Sequence, residues 1–284
     1  MMQVITSIAQ LRKAINTVKS KGHTVGFVPT MGNLHEGHLD LVKRASDKAQ
    51  CSVVSIFVNP TQFDRADDLD AYPRTMEADL AKLEAIGTDI VFCPEPKEMY
   101  PYGGLVTQVD VPAIGSLLEG SSRPGHFCGV ATVVCKLFNI VAPDLAVFGQ
   151  KDFQQLMVIR QMVADLDMPL EIIGAPTVRE KDGLAMSSRN NRLTSEQREI
   201  APVLNKLLEQ LKAKLLEGNK AFEVLQEEVI SELAKAGFKP DYIKVCHAKT
   251  LQLAEQGDSE LVILAAAFLG DVRLIDNVPV TLAT

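Results

Sequence analysis

No stretch of this sequence comes near the roughly 18 consecutive apolar residues that a membrane-spanning helix requires, so it offers no candidate span. Its opening, "MMQVITSIAQLRKAINTVKSKG", keeps polar residues throughout and lacks the unbroken apolar core of a secretory signal. It reads instead as an amphipathic helix. Cysteine is sparse: Cys51, Cys93, Cys128, Cys135 and Cys246 are odd in number, contain no CxxC pair and mostly sit in apolar runs. That pattern argues against a disulfide framework and for buried thiols in a reducing cytoplasm. Basic charge is short as well, 29 lysines and arginines against 36 acidic residues for a net charge of −7, with the signs interspersed. No broad footprint for nucleic acid exists, so any bound anion must be met locally. Neither GxxxxGK[ST] nor GxGxxG occurs, which excludes the P-loop and the dinucleotide fingerprint.

What is present is enough for a full core: 284 residues, 46% hydrophobic and 23% charged, a length that favours two domains. Five short, β-branched, nearly continuous apolar segments, "TVGFV", "CSVVSIFV", "DIVFC", "DLAVFG" and "LEIIGA", alternate with helix-like stretches. Strands of this kind are covered on both faces. Among the helices, "TMEADLAKLEAIG" opens on Thr75 as a cap and closes on Gly87, and "VATVVCKLFNIV" and "DFQQLMVIRQMVADL" are long enough for crossovers. The alternation predicts an α/β fold with a Rossmann-like, doubly wound parallel sheet over residues 1–176. Beyond "GAPTVREKDGLAMSSRNNRL" the order changes to two long helices, 195–217 and 220–236, then strands near "DYIKVC", "ELVILAAAFL" and "VRLIDNV" with a reversal at Gly270-Asp271. Residues 177–284 are therefore expected to form a smaller α+β C-terminal domain with an antiparallel component; a lid is its expected role.

"VPTMGNLHEGHLDLV", residues 28–42, puts two glycines and two histidines where the first core strand gives way to a helix. In an open α/β sheet, ligands bind beyond the carboxyl ends of the strands, the edge to which a strand ending at Val28 delivers Pro29 to His38. Gly32 and Gly37 allow close backbone approach, and a helix starting near Leu34 offers N–H groups and positive dipole to an anion. His35 and His38 share one face of its first turn. "HEGH" lacks the HExxH spacing and any evident third ligand, so no protein metal site is expected. A pair of imidazoles that merely cap or pack remains the bland alternative.

"TMGNLHEGH" resembles the HxGH signature of the nucleotidyltransferase superfamily. With "PTMGNLHEGHLDLV", "SIFVNPTQF", "RPGHFCGVATVV", "FGQKDFQQ" and "PTVREKDGLAMSSRN" in this order, the chain resembles the pantothenate synthetase family. The blocks span residues 28–192; the C-terminal part fits that family by size and pattern. The resemblance implies ligation of pantoate and β-alanine driven by ATP through a pantoyl adenylate, with release of pyrophosphate and then AMP. It also implies Mg²⁺ accompanying the ATP phosphates, a homodimer, and neither nucleic-acid nor membrane partners. The alternatives are another HxGH-type adenylyltransferase of a small acid or cofactor precursor, and a module that binds ATP without turnover.

By the same resemblance, Met31, Gly32, Asn33, Leu34, His35, Glu36, Gly37 and His38 form the first ATP-binding segment, with proton donation assigned to His38. Gly149, Gln150, Lys151 and Asp152 form a second segment, in which Lys151 is a compact cation able to reach a phosphate. Met186, Ser187, Ser188 and Arg189 resemble the superfamily's mobile KMSKS-like loop, a set of hydroxyl and guanidinium donors that can close on a triphosphate. Val178 is placed against the nucleotide through its backbone. His35, His38, Lys151 and Arg189 are the expected catalytic groups, and Gln62 and Gln155 the expected pantoate ligands, as amides that donate and accept without neutralising a carboxylate nucleophile. Arg123 and His126 are further cation candidates at the edge of the site.

Overall fold

The computed structural model describes residues 2–63, 69, 72–104 and 106–283. Contacts divide the chain into two compact units, Met1–Gly149 with Gln154–Pro176, and Gln150–Phe153 with Thr177–Thr284. Residues Gln150–Phe153, assigned from sequence to the first domain, thus group with the second unit.

The first unit is built on six strands: β1 (Gln3–Ile5), β2 (Val25–Thr30), β3 (Cys51–Ile56), β4 (Ile90–Phe92), β5 (Leu145–Gly149) and β6 (Glu171–Ala175). They pair in the order β1-β4-β3-β2-β5-β6, every pairing parallel. β3 is buried along its whole length and β2 and β5 nearly so, which is why these segments lack polar alternation. From β2 the chain moves outward to β3 and β4 on one side, then returns to place β5 and β6 on the other. The β2 carboxyl end is therefore the point where strand order reverses, the place where doubly wound sheets open a crevice.

The longer helices between them, among the described residues, are α1 (Ile8–Lys19), α2 (Glu36–Lys48), α3 (Met76–Ala85), α4 (His126–Val141) and α5 (Phe153–Asp165). Leu39, Val42 and Ala45 of α2 pack with Val28, Val54, Val91 and Val147 of the sheet in one apolar cluster. The N-terminal segment departs from expectation: Gln3–Ile5 is an edge strand beside β4, and the helix starts only after Ser7, whose hydroxyl accepts the Gln10 N–H. Three residues are too few for strand periodicity to show against the helical pattern that follows.

In the second unit, α6 (Ser195–Ile200), α7 (Val203–Leu216) and α8 (Phe222–Lys235) precede an antiparallel meander of β7 (Lys239–His247), β8 (Glu260–Leu269) and β9 (Val272–Thr281). The single helix expected over 195–217 is interrupted at Pro202, which lacks the N–H needed to continue the ladder. Leu204, Leu208, Leu211 and Leu215 form a buried stripe at helical spacing, packed with Leu225, Val229 and Leu233 of α8 and the inward residues of the sheet. Gly270 takes φ 59° at the first central position of the β8–β9 turn, as a two-residue hairpin of type II′ requires. No helix among the described residues is long and apolar enough to cross a membrane.

Candidate active site

The loop from β2 into α2 turns through two consecutive left-handed residues, Gly32 at φ 82° and Asn33 at φ 51°. Such a turn needs outside support, and α3 supplies it. The carboxylate of Asp79, fully buried, accepts the backbone N–H groups of Asn33 and Leu34, each at 2.8 Å, and the Thr75 hydroxyl at 3.0 Å. Thr75 does precede α3, but its hydroxyl braces Asp79 instead of capping the helix. Lys82 Nζ adds a bond to the Leu34 carbonyl at 2.6 Å. Gly32 is required twice over, since a Cβ there would lie 3.1 Å from Asp79 Oδ2 and the backbone is left-handed.

α2 begins at Glu36, two residues later than read from sequence, because His35 itself is the N-cap. Its Nδ1 accepts the Gly37 N–H at 3.1 Å, and His38 Nδ1 in turn accepts the His35 N–H at 3.3 Å. The ring centroids lie 4.1 Å apart. A backbone N–H donates only, so each neutral ring carries its proton on Nε2, on the side opposite the helix end. The capping reading and the binding reading are therefore compatible: one nitrogen of each ring fixes the helix start, and the other is an oriented donor.

Gln62 stands beside this loop, its Nε2 donating to Met31 Sδ at 3.1 Å. Its side-chain orientation is set by Asn59, which is buried. Asn59 Nδ2 donates to the Gly129 carbonyl at 3.3 Å and to Gln62 Oε1 at 3.1 Å, while Asn59 Oδ1 accepts from the Tyr100 hydroxyl at 2.7 Å and from Thr61 Oγ1 at 3.0 Å. Burial pushes the Tyr100 phenol above its ordinary value, against a smaller opposing effect of Thr61, so it stays protonated and donates. With its oxygen held from behind, Gln62 presents its NH₂ to the loop. The backbone here is clamped too: His126 Nδ1 donates to the Gln62 carbonyl at 2.9 Å, and Arg123 donates to the same oxygen at 3.4 Å and to His126 Nε2 at 3.3 Å. Arg123 and His126 thus position Gln62; the imidazole, accepting on Nε2, is neutral in this arrangement. Gly129 lets α4 come close, because a Cβ would sit 2.4 Å from the Thr61 carbonyl oxygen.

Gln155 is half-buried on α5. The preceding Gln154 is a structural residue: its amide donates to the Ile114 and Leu117 carbonyls at 2.9 and 2.7 Å and accepts the Glu119 N–H at 3.1 Å.

Gly149 ends β5 in the first unit, and the chain continues into the short helical turn Gln150–Asp152 of the second, which carries the remaining candidates. Lys151 Nζ lies 3.9 Å from Asp152 Oδ2, a loose pair. From Thr177 the chain folds back in a tight turn. The Val178 carbonyl accepts the Met186 N–H at 2.9 Å, Arg179 bridges Ala185, and Glu180–Gly183 close the bend. Ser187 then caps the turn Ser188–Arg192, accepting the Arg189 N–H at 3.3 Å. Lys151, Ser187 and Arg189 line one pocket, with Asn190, Asn205 and Asp276. Arg273 lines it as well, so three cationic side chains and a hydroxyl surround a narrow cleft of about 10 Å³, which also holds the Asp276 carboxylate.

Sequence reasoning assigned no role to Asp79, Asn59, Tyr100, Gly129, Arg179, Asp276 or Asn277, all of which support the expected residues; Asn59, Gly129 and Arg179 lie within the blocks quoted for the family resemblance, and the other four outside them. Among the described residues, no group of three or more His, Cys, Asp or Glu is arranged to hold a metal ion.

Comparison with known proteins identifies the family. The profile of a family described as pantoate-beta-alanine ligase matches residues 3–279. A pantothenate synthetase from Vibrio atlanticus is 55% identical over 277 residues, covering 97% of this chain and 94% of its own. One from Shewanella sp. strain ANA-3 is 56% identical over 277 residues, 96% and 98% of the two chains. Among solved structures, pantothenate synthetase from Thermus thermophilus superposes with a TM-score of 0.90 at 43% identity, covering 98% of this chain and 99% of the other. Pantoate-beta-alanine ligase from Francisella tularensis, complexed with beta-gamma ATP and beta-alanine, gives 0.82 at 38% identity, with 98% of both chains covered. A match of this extent leaves one conclusion: the chain belongs to the pantoate-beta-alanine ligase family.

Proposed function

We propose that this chain is an ATP-dependent ligase that joins pantoate to β-alanine. In the first step a pantoate carboxylate oxygen attacks the α-phosphorus of ATP, and the bond to the β-phosphate bridging oxygen breaks to release pyrophosphate. In the second, the β-alanine amine attacks the acyl carbon of pantoyl adenylate, loses a proton and expels AMP to leave pantothenate. Both steps move negative charge onto leaving oxygens, which calls for fixed donors.

The observation that carries this reading is the paired cap of His35 and His38. With Nδ1 of each ring engaged by a backbone N–H, both imidazoles hold an Nε2–H donor at the helix start, at the topological switch point of the sheet. His38 is assigned proton donation to the departing phosphate oxygen, and His35 the alignment of the chain of phosphates. Met31, Gly32, Asn33, Leu34, Glu36 and Gly37 complete the ATP-binding turn. Gln62, its oxygen held by Asn59, donates to pantoate, and Gln155 is assigned to the same substrate.

Gly149 at the end of β5, and in the second unit Gln150, Lys151, Asp152, Val178, Met186, Ser187, Ser188 and Arg189, are assigned to nucleotide binding. Lys151 and Arg189 are assigned to the phosphates, and the unit is proposed to serve as the lid. Support comes from their common pocket and from chain order: Gln150 directly follows β5, the hydrogen-bonded neighbour of β2. Mg²⁺ is taken to arrive with ATP, offsetting triphosphate charge while the chain holds the phosphates. A cytoplasmic homodimer is the assembly proposed.

Pantoate-dependent exchange of labelled pyrophosphate into ATP tests the reading. Exchange with pantoate and pantothenate formation on adding β-alanine are the expected results. Exchange only with a different acid makes the chain a sibling adenylyltransferase, and ATP binding without exchange makes it a sensor; either result overturns the proposal.

A further inference from the structure

Asp276 and Asn277 sit side by side on β9 with little exposure, 4% and 3%. Asn277 Nδ2 donates to two consecutive carbonyls, Gln150 O at 2.8 Å and Lys151 O at 2.9 Å. Carbonyls only accept, so the amide cannot be flipped, and both of its hydrogens are committed to this one turn. Asp276 forms a two-pronged pair with Arg179, 2.7 and 2.9 Å, and accepts the Asn277 N–H at 2.7 Å; Arg179 also reaches the carbonyls of Gly183 and Asn277. One dipeptide therefore grips both segments that line the pocket of Lys151 and Arg189. The Lys151 ammonium is only loosely paired with Asp152, so its position follows the backbone that Asn277 holds.

We propose that Asn277 is a positioning residue for Lys151, and that the Asp276-Asn277 dipeptide sets the spacing between Lys151 and the 177–189 loop. This rests on the ligase reading above. Membership of Gln150–Phe153 in the second unit has this contact as a physical cause: the turn is fastened to β9 by side-chain donors, although the strand before it and the helix after it belong to the first unit. Lys151 and Arg189 accordingly belong to one body, and a phosphate chain bound by one meets the other at a fixed distance.

The test is a double-mutant cycle in pantoate-dependent pyrophosphate exchange, with Asn277→Ala, Lys151→Ala and both together. Asn277→Ala is expected to lower exchange about 10- to 100-fold, as a misplacement near 1 Å does. In the Lys151→Ala background it should lower it little further, because the cation it positions is already gone. Independent, multiplicative losses would overturn the proposal, as would full activity of Asn277→Ala. A purely structural role would lower melting temperature without this dependence on Lys151. If Asn277→Ala does not fold, Asn277→Ser takes its place in the cycle. Absence of exchange in the unsubstituted protein strikes the ligase reading alone. Amide hydrogen exchange across 150–153 then decides the positioning contact: faster exchange in the Asn277 variant upholds it, and unchanged protection removes it.

Discussion

Replacing Asp79 with asparagine changes one atom's chemistry at a buried carboxylate that holds three hydrogen bonds, and its consequence can be worked from the contacts. Asp79 takes two backbone N–H groups, one on each oxygen, at 2.8 Å. An asparagine has a single acceptor oxygen, so whichever way the amide turns, the N–H of Asn33 or of Leu34 faces an NH₂. Leu34 is 2% exposed, which leaves water little access to that group. One charge-assisted bond, about 1.5–3 kcal/mol, is lost, and the other weakens to a neutral bond; the sum is about 2–4 kcal/mol. A domain with a stability of about 5–15 kcal/mol survives this, folded but with a clearly lower urea midpoint. The left-handed pair Gly32-Asn33 then loses its brace, and the cap that orients both imidazoles shifts with it. Exchange of pyrophosphate at saturating ATP and pantoate should fall about 10²-fold. Urea unfolding and the exchange assay on the same preparation give both numbers. Wild-type values in both would refute the brace. A lower midpoint with undiminished exchange would refute the link from Asp79 to the histidines.

Gly129→Ala puts a methyl 2.4 Å from the Thr61 oxygen and 3.1 Å from Gln62 Cα, so the 60–62 turn must move. A glycine within a helix replaced by alanine ordinarily gains up to about 1 kcal/mol, whereas here, in the first turn of α4, overpacking should cost about 1–3 kcal/mol and raise KM for pantoate more than KM for ATP; a stabilised variant would disprove the close approach. His38→Ala should depress adenylate formation far more than pantoate affinity, and equal losses would deny it a transition-state role. Burial pushes the Cys51 thiol up to about 11 and the Cys246 thiol up to about 12. Unfolded thiols ionise near pH 8.5 while these keep their protons, so above that pH the folded state binds more protons and stability should decline; a flat profile between pH 8.5 and 10.5 would contradict it. For the same reason iodoacetamide should spare both at pH 8 until the chain is unfolded.

The sheet was legible because its central strands are buried on both faces and therefore carry unbroken apolar runs. Edge strand β1 was not, since Gln3–Ile5 has a burial pattern of two exposed residues and one buried, indistinguishable from one turn of a helix. The break at Pro202 was legible in principle, because a proline inside a helical pattern marks an interruption. Among the candidate site residues, His35 and His38 stood out by type and by their glycine frame at a strand end, whereas Lys151, Ser187, Ser188 and Arg189 were singled out by resemblance. Gln62 and Gln155 came only through resemblance, as an amide on a helical segment has no spacing of its own.

The supporting residues share a signal that is visible once the register is known. On α3, Asp79 occupies the inward stripe with Leu83; on β9, Asp276 falls between Leu274 and Val278 in the row that faces the core. A charge in an apolar row is costly unless something is bound to it. Asp79 answers that cost with two loop N–H groups and a hydroxyl, Asp276 with the Arg179 fork. Asp79 lies behind a loop of backbone donors, and Asp276 lines the pocket beside Lys151 and Arg189. Unpaired, a negative charge so placed would repel the polyphosphate that those segments are proposed to bind. For Asp276 the Arg179 guanidinium cancels that charge, so removing Arg179 should harm nucleotide binding beyond the loss of a fastening: it would leave an unpaired anion in the pocket that Asp276 already lines.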